Sequence, residues 1–176
     1  MAQVTSDALV FYGATGDLAF KKIFPALFLM VKRGHLQSPI IGVARGDYDL
    51  EKLQLRAKES IQRYGNFEEE TFSKFLKLLA FVGGDYTDPN TFHRVREALG
   101  NAQNPTHYLA IPPVLFPAII AQLDQSGCAK GARIIVEKPF GTDYNSAKAL
   151  NKLLLSKFSE SSVYRIDHYL GKRPVN

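Results

Sequence analysis

Small residues recur at every third position along Gly13-Ala14-Thr15-Gly16-Asp17-Leu18-Ala19. A turn of this kind suits a diphosphate. Gly13 permits a sharp exit from a strand, Gly16 lets a pyrophosphate approach the backbone, and Ala19 lets the next segment pack closely on a sheet. Amides exposed at the head of the following helix then face the negative charge. The spacing differs from G-x-G-x-x-G, and a plain strand-to-helix turn would use the same residues. Dinucleotide chemistry is favoured by position, because the triad follows the first strand of an alternating chain.

The ribose is read at the end of the second strand, where NAD-dependent proteins present Asp or Glu to the 2′-hydroxyl. This sequence has Gly42-Val43-Ala44-Arg45 there. A guanidinium suits a 2′-phosphate, so Arg45 points to NADP, with Asp47 a nearby carboxylate able to reach a hydroxyl. Asp85 and Tyr86 follow the third strand, either beside an adenine edge or as ordinary turn residues.

Two further segments are hard to explain as packing. Glu137-Lys138-Pro139-Phe140-Gly141 closes the fifth strand, and Arg165-Ile166-Asp167-His168-Tyr169-Leu170-Gly171-Lys172 closes the sixth. Both fall on the carboxyl edge of the expected sheet, where such folds open onto a ligand crevice. An ion-paired Lys138 and a hydrogen-bonded His168 are the structural alternatives. His35, His93 and His107 lack similar company, and neither Cys-x-x-Cys nor His-Glu-x-x-His occurs, so no metal is expected.

The elements that must position these residues are legible as alternation. Short apolar, β-branched runs are expected as strands at 8–12, 39–45, 81–82, 106–111, 133–137 and 162–166. Helical patterns fill 25–33, 49–64, 68–79, 89–99, 113–126 and 143–158. Asp88-Pro89 supplies a cap and a first-turn proline, Gly100 a stop, and Ala147, Leu150, Leu154 and Phe158 one apolar stripe. Strands separated by helices imply right-handed crossovers. The expected fold is α/β, a doubly wound parallel sheet of about six strands with a Rossmann-type dinucleotide-binding crevice.

With 176 residues of ordinary globular composition, one domain spanning 1–176 is expected. The net charge of +5 lies wholly in residues 89–176, which hold 11 Lys and Arg against 6 Asp and Glu. No run of five basic residues occurs, so a nucleic-acid partner is not expected. A single Cys128 forbids an internal disulfide and suits a reducing, cytoplasmic setting. The first residues lack the basic flank and apolar run of a secretory signal. The charge-free stretch from Ala98 to Leu123 carries four prolines, so no membrane partner is expected.

Taken together, Gly13 to Ala19 with Lys22, Gly42 to Arg45, Ala110 to Pro113, Glu137 to Gly141 and Arg165 to Lys172 resemble the glucose-6-phosphate dehydrogenase family, in the family's order along nearly the whole chain. The resemblance implies oxidation of glucose 6-phosphate at C1 to the lactone, with hydride passing to NADP, as the entry step of the pentose phosphate pathway. It also implies residue roles. Gly13, Ala14, Thr15, Gly16, Asp17, Leu18, Ala19 and Phe20 form the diphosphate loop, Arg45 binds the 2′-phosphate, and Asp85 and Tyr86 lie towards the adenosine. Lys138 sits between nicotinamide and sugar, while His168, Tyr169 and Lys172 hold the sugar phosphate with Lys22 nearby. Asp167 orients a general base.

Three departures from the family pattern stand out. Phe20 replaces a common Lys or Arg, and Phe116 stands where some members have a Tyr against the cofactor. The sequence stops just after the last motif, whereas family members continue into a second domain with the catalytic His and the oligomer interface, so the chain alone is expected to be inactive. A free-standing NADP-binding module is the alternative. Tyr144-x-x-x-Lys148 has the spacing of short-chain reductases without their preceding Ser.

Overall fold

The computed structural model describes residues 5–141 and 143–166. Six strands, β1 (Leu9–Tyr12), β2 (Ile40–Ala44), β3 (Leu79–Gly83), β4 (Thr106–Leu109), β5 (Arg133–Glu137) and β6 (Val163–Ile166), pair in parallel. Their order is β3-β2-β1-β4-β5-β6, the doubly wound arrangement expected from the alternation. Every residue of β2 is buried, as its unbroken apolar run requires of a strand covered on both faces.

Six helices connect the strands: α1 (Phe24–Lys32), α2 (Leu50–Tyr64), α3 (Glu69–Leu78), α4 (Pro89–Leu99), α5 (Phe116–Gln125) and α6 (Tyr144–Lys157). Their starts follow side-chain chemistry. Asp49 accepts from the Lys52 amide at 2.8 Å, Asp88 from Asn90 at 3.0 Å, and Asp143 shares a capping box with Ser146. Gly100 ends α4 at φ +54°, a left-handed value suited to glycine.

The first three helices pack Phe24, Phe28, Leu53, Ile61 and Phe75 against Phe11, Ile40 and Ala44. The last three pack Phe92, Val95, Ile119, Ile120 and Leu154 on the opposite face, against Val10, Tyr12, Val43 and Val136. Each buried Val, Leu, Ile or Phe among them contributes about 1.5–3 kcal/mol by leaving water. The stripe expected on α6 is buried at Leu150, Leu154 and Phe158, with Ala147 half-buried at its margin.

Among the boundaries that differ from the sequence pattern, three follow from local bonding. β3 begins at Leu79, two residues earlier than its apolar core suggests, because Leu79 and Ala80 pair with Ile40 and Ile41 and so leave the helix. β4 stops at Leu109, where Ala110 bonds back to the Tyr108 carbonyl ahead of two prolines. The first helical segment starts earlier, at Asp17, and passes through a π-helical turn at Ala19–Ile23 before α1. A π turn leaves carbonyls without their usual partner, and the buried Ser60 of α2 donates its hydroxyl to the Phe20 carbonyl.

One buried polar set crosses the second core. His107 on β4 donates from Nε2 to the Cys128 carbonyl at 3.0 Å, leaving Nδ1 to accept from the Tyr12 hydroxyl at 3.2 Å. Burial holds this imidazole neutral, with its pKa lowered to about 4.

Candidate functional site

Parallel strands bring their carboxyl ends to one edge, so Gly13, Arg45, Asp85, Ala110 and Lys138 come from five different connections to the same rim. The strand order turns back between β1 and β4, which remain parallel, and such a switch point is where doubly wound sheets bind ligands.

Gly13 occupies that point under two constraints. Its φ is +87°, and a Cβ there would stand 2.3 Å from the Ala110 carbonyl oxygen beyond β4. No other residue type meets both. Its amide is shared between the Val43 carbonyl at 2.9 Å and the Tyr86 hydroxyl at 2.9 Å, while the Ala14 amide goes to Val43 at 3.1 Å. The Gly16 amide closes the turn onto the Gly13 carbonyl at 2.9 Å. These three amides therefore shape the loop. The donors aimed outward are those of the helical turn beginning at Asp17, whose leading amides have no preceding carbonyl. Ala14 and Ala19 are fully buried, and Gly42 makes room for Ala14, since a Cβ there would lie 3.0 Å from it.

Asp17 is exposed and forms a surface pair with Lys21 at 3.2 Å, while Thr15 and Leu18 are half-buried. Lys22 is exposed in the same π turn. Phe20 packs edge-on to Tyr64 and carries the guanidinium of Arg56, 4.7 Å from its ring centre. Arg56 is a cation beside the glycine turn that sequence reading missed; its place on α2 reads as one more cation on a solvated helix face.

Arg45 is exposed at the end of β2, 5.5 Å above the Tyr86 ring and 3.9 Å from the Asp85 carboxylate. Hydrogen bonds from the Thr87 hydroxyl and amide, with Arg45 nearby, hold the Asp85 carboxyl below its ordinary pKa. Tyr86 is placed differently from its expected position beside the adenosine. It is 4% exposed, its hydroxyl bonds Gly13 and the Val43 carbonyl, and burial raises its pKa. Its ring supports the rim from below.

On the far side of the switch point, Lys138 is exposed at the end of β5, its amide bonded to the Ile166 carbonyl at 3.2 Å. Beside it the half-buried Tyr108 donates to Glu137, and burial with that carboxylate pushes the phenol up. Phe116 belongs to the core, 1% exposed, so it does not stand in for a cofactor-facing Tyr. Arg165 on β6 is tied to Glu160 at 2.8 Å and Asn151 at 2.5 Å. Asp167, His168, Tyr169 and Lys172 lie outside the described residues. Tyr144 is 77% exposed at the head of α6, beside the capping box rather than at the glycine turn.

A hollow of about 860 Å³, lined by Leu9, Met30, His35, Thr106 and Arg133, opens at the opposite edge. Leu9, Thr106 and Arg133 begin their strands, so the glycine turn has no part in it. Among the described residues no three His, Cys, Asp or Glu side chains are grouped to hold a metal ion, and no helix is long and apolar enough to cross a membrane.

Comparison with known proteins agrees with this fold. Residues 10–176 match the family described as glucose-6-phosphate dehydrogenase, NAD binding domain. Glucose-6-phosphate 1-dehydrogenase 1 of Mycobacterium bovis is 40% identical over 170 residues, covering 97% of this chain and 36% of the relative. The crystal structure of glucose-6-phosphate 1-dehydrogenase from Mycobacterium avium superposes with a TM-score of 0.91 at 40% identity, covering 97% of this chain and 38% of that one. A glucose-6-phosphate dehydrogenase in complex with its substrate glucose 6-phosphate superposes at 0.82 and 31% identity, with 97% and 39% covered. The chain thus spans little more than a third of the relatives it matches. With a family model over residues 10–176 and relatives at 40% identity in agreement, it belongs to the glucose-6-phosphate dehydrogenase family, within that family's NAD-binding domain.

Proposed function

We propose that this chain, over residues 1–176, is the NADP-binding domain of a protein that oxidises glucose 6-phosphate at C1 to the lactone. The observation that carries the cofactor reading is Arg45, a cation standing exposed at the end of β2 where NAD-binding folds place a carboxylate. The donor set fits the whole group. Helix-head amides from Asp17 onward meet the diphosphate, Arg45 meets the 2′-phosphate, and the close approach at Gly13 keeps the floor of the crevice free of side chains. NADP, when bound, accepts the hydride.

The chain's own residues bind and orient. Lys138, exposed at the end of β5, would sit between nicotinamide and sugar. His168, Tyr169 and Lys172 hold the sugar phosphate with Lys22, and that remote charge fixes C1 against the ring. Asp167 positions the general base and stabilises it once protonated. A cytoplasmic location fits the single Cys128, buried in the second core.

Calorimetric titration of NADP and NAD into the wild-type chain and Arg45→Ala tests the reading. Arg45→Ala is expected to weaken NADP by about 1.5–3 kcal/mol, the range for a hydrogen bond to a charged group, with NAD barely changed. Equal losses for both nucleotides would remove the 2′-phosphate role.

A further inference from the structure

We infer that Arg56 is a second phosphate-facing cation of the cofactor site, delivered from α2 to the shoulder of the glycine turn; this rests on the cofactor reading above.

Three contacts place it. Its Nη2 donates to the Gly16 carbonyl at 3.3 Å, across 40 residues of sequence. Its guanidinium carbon lies 4.7 Å from the centre of the Phe20 ring, within the range of an effective cation–π contact. One turn further along α2, Ser60 bonds the Phe20 carbonyl, so α2 grips the turn at both ends of its first helical residues. The guanidinium is therefore held beside the phosphate loop.

This arrangement is costly for an arginine whose role is packing alone. A guanidinium has five N–H donors, and Nε is buried without a hydrogen-bond partner. The Gly16 carbonyl already accepts from the Phe20 amide at 3.1 Å, so the helix has no need of Arg56 to satisfy it. An anion on the loop supplies the missing counter-charge. Gly16 is exposed, and the amides of Asp17 and its neighbours open beside it.

The side of approach narrows the partner. α2 follows β2, and β2 lies on the β3 side of β1, so Arg56 and Arg45 flank the glycine turn from the same half of the crevice. That half takes the adenosine end of a dinucleotide. Phe20 becomes the stacking platform that aims a cation from the neighbouring helix. The ligand chemistry is phosphate, either the diphosphate common to both nucleotides or the 2′-phosphate of NADP.

The test titrates NADP and NAD into wild type and Arg56→Gln at several KCl concentrations. Arg56→Gln is expected to weaken NADP about 3–10-fold, as for a charge pair between exposed and buried limits, and to flatten the salt dependence of its Kd. A parallel loss for NAD assigns the diphosphate, and a loss confined to NADP assigns the 2′-phosphate. A structural staple would leave the salt dependence as steep as in wild type, so lost affinity with an unchanged slope overturns the inference. So does unchanged affinity for both nucleotides. If Arg56→Gln fails to fold, Arg56→Lys carries the test: it keeps the charge and should retain the wild-type salt slope, and a flattened slope overturns the inference. A wild-type chain that binds neither nucleotide overturns the cofactor reading itself, and this assignment with it. An Arg45→Ala response without an Arg56 response sinks this assignment alone.

Discussion

The Tyr86 hydroxyl accepts the Gly13 amide at 2.9 Å, joining residues 73 positions apart at the point where the strand order switches. The same hydroxyl donates to the Val43 carbonyl at 3.3 Å, so one side chain from beyond β3 ties together the ends of β2 and β1. The glycine turn is held from below before any ligand arrives, which lowers the ordering cost of binding.

Tyr86→Phe keeps the ring under Arg45 and removes both bonds. Gly13 retains Val43 as a partner, so the expected loss is about 0.5–1.5 kcal/mol of folding stability, read from urea unfolding. NADP affinity should fall as well, because the turn is less fixed. Unchanged stability and affinity would show that Val43 alone holds the turn.

Gly13→Ala and Gly46→Ala separate two effects at neighbouring turns. Both glycines have left-handed φ, +87° and +95°, and a Cβ at Gly46 meets nothing within 4 Å. Gly46→Ala should therefore show the backbone penalty alone, about 1–2 kcal/mol. Gly13→Ala adds the collision with the Ala110 carbonyl, a further ~1–3 kcal/mol of overpacking, and should abolish NADP binding. Equal losses in thermal unfolding would show that β4 moves aside freely.

The fold was legible because each level of the sequence agreed with the next. Apolar runs such as Arg133–Glu137 have strand length, Asp49, Asp88 and Asp143 cap the helices they precede, and the alternation dictates parallel pairing. The place of Arg45 on the rim was legible for the same reason, since it follows directly on a strand end. Arg56 and Tyr86 were not. Arg56 acts on a carbonyl 40 residues away through a stacking partner, and Tyr86 acts from beneath the rim through its hydroxyl. Neither has a periodicity or a motif, and each depends on how two elements dock. The π turn was hidden likewise, because its Phe20 carbonyl is satisfied by Ser60 from another helix.

His107 makes stability depend on pH. Folded, it is neutral between Tyr12 and the Cys128 carbonyl, with a pKa lowered to about 4 from 6.5. The unfolded chain takes up its proton as pH falls through 6.5, and the native state refuses it until near 4. The stabilising contribution is thus complete above pH 6.5 and declines between 6.5 and 4. By pH 5 the decline should reach about 2 kcal/mol, at 1.36 kcal/mol for each pH unit. Asp85 and Asp143 have lowered pKa values, so their contributions fade at lower pH, below the ordinary carboxylate range. Among the described groups with a shifted pKa, the imidazole of His107 is the one that responds in the window from 6.5 to 5. His107→Gln should be less stable at pH 7, yet lose less stability than wild type between 6.5 and 5 when both are unfolded in urea. Parallel curves for the two proteins would mean that His107 is not the group resisting its proton in the core.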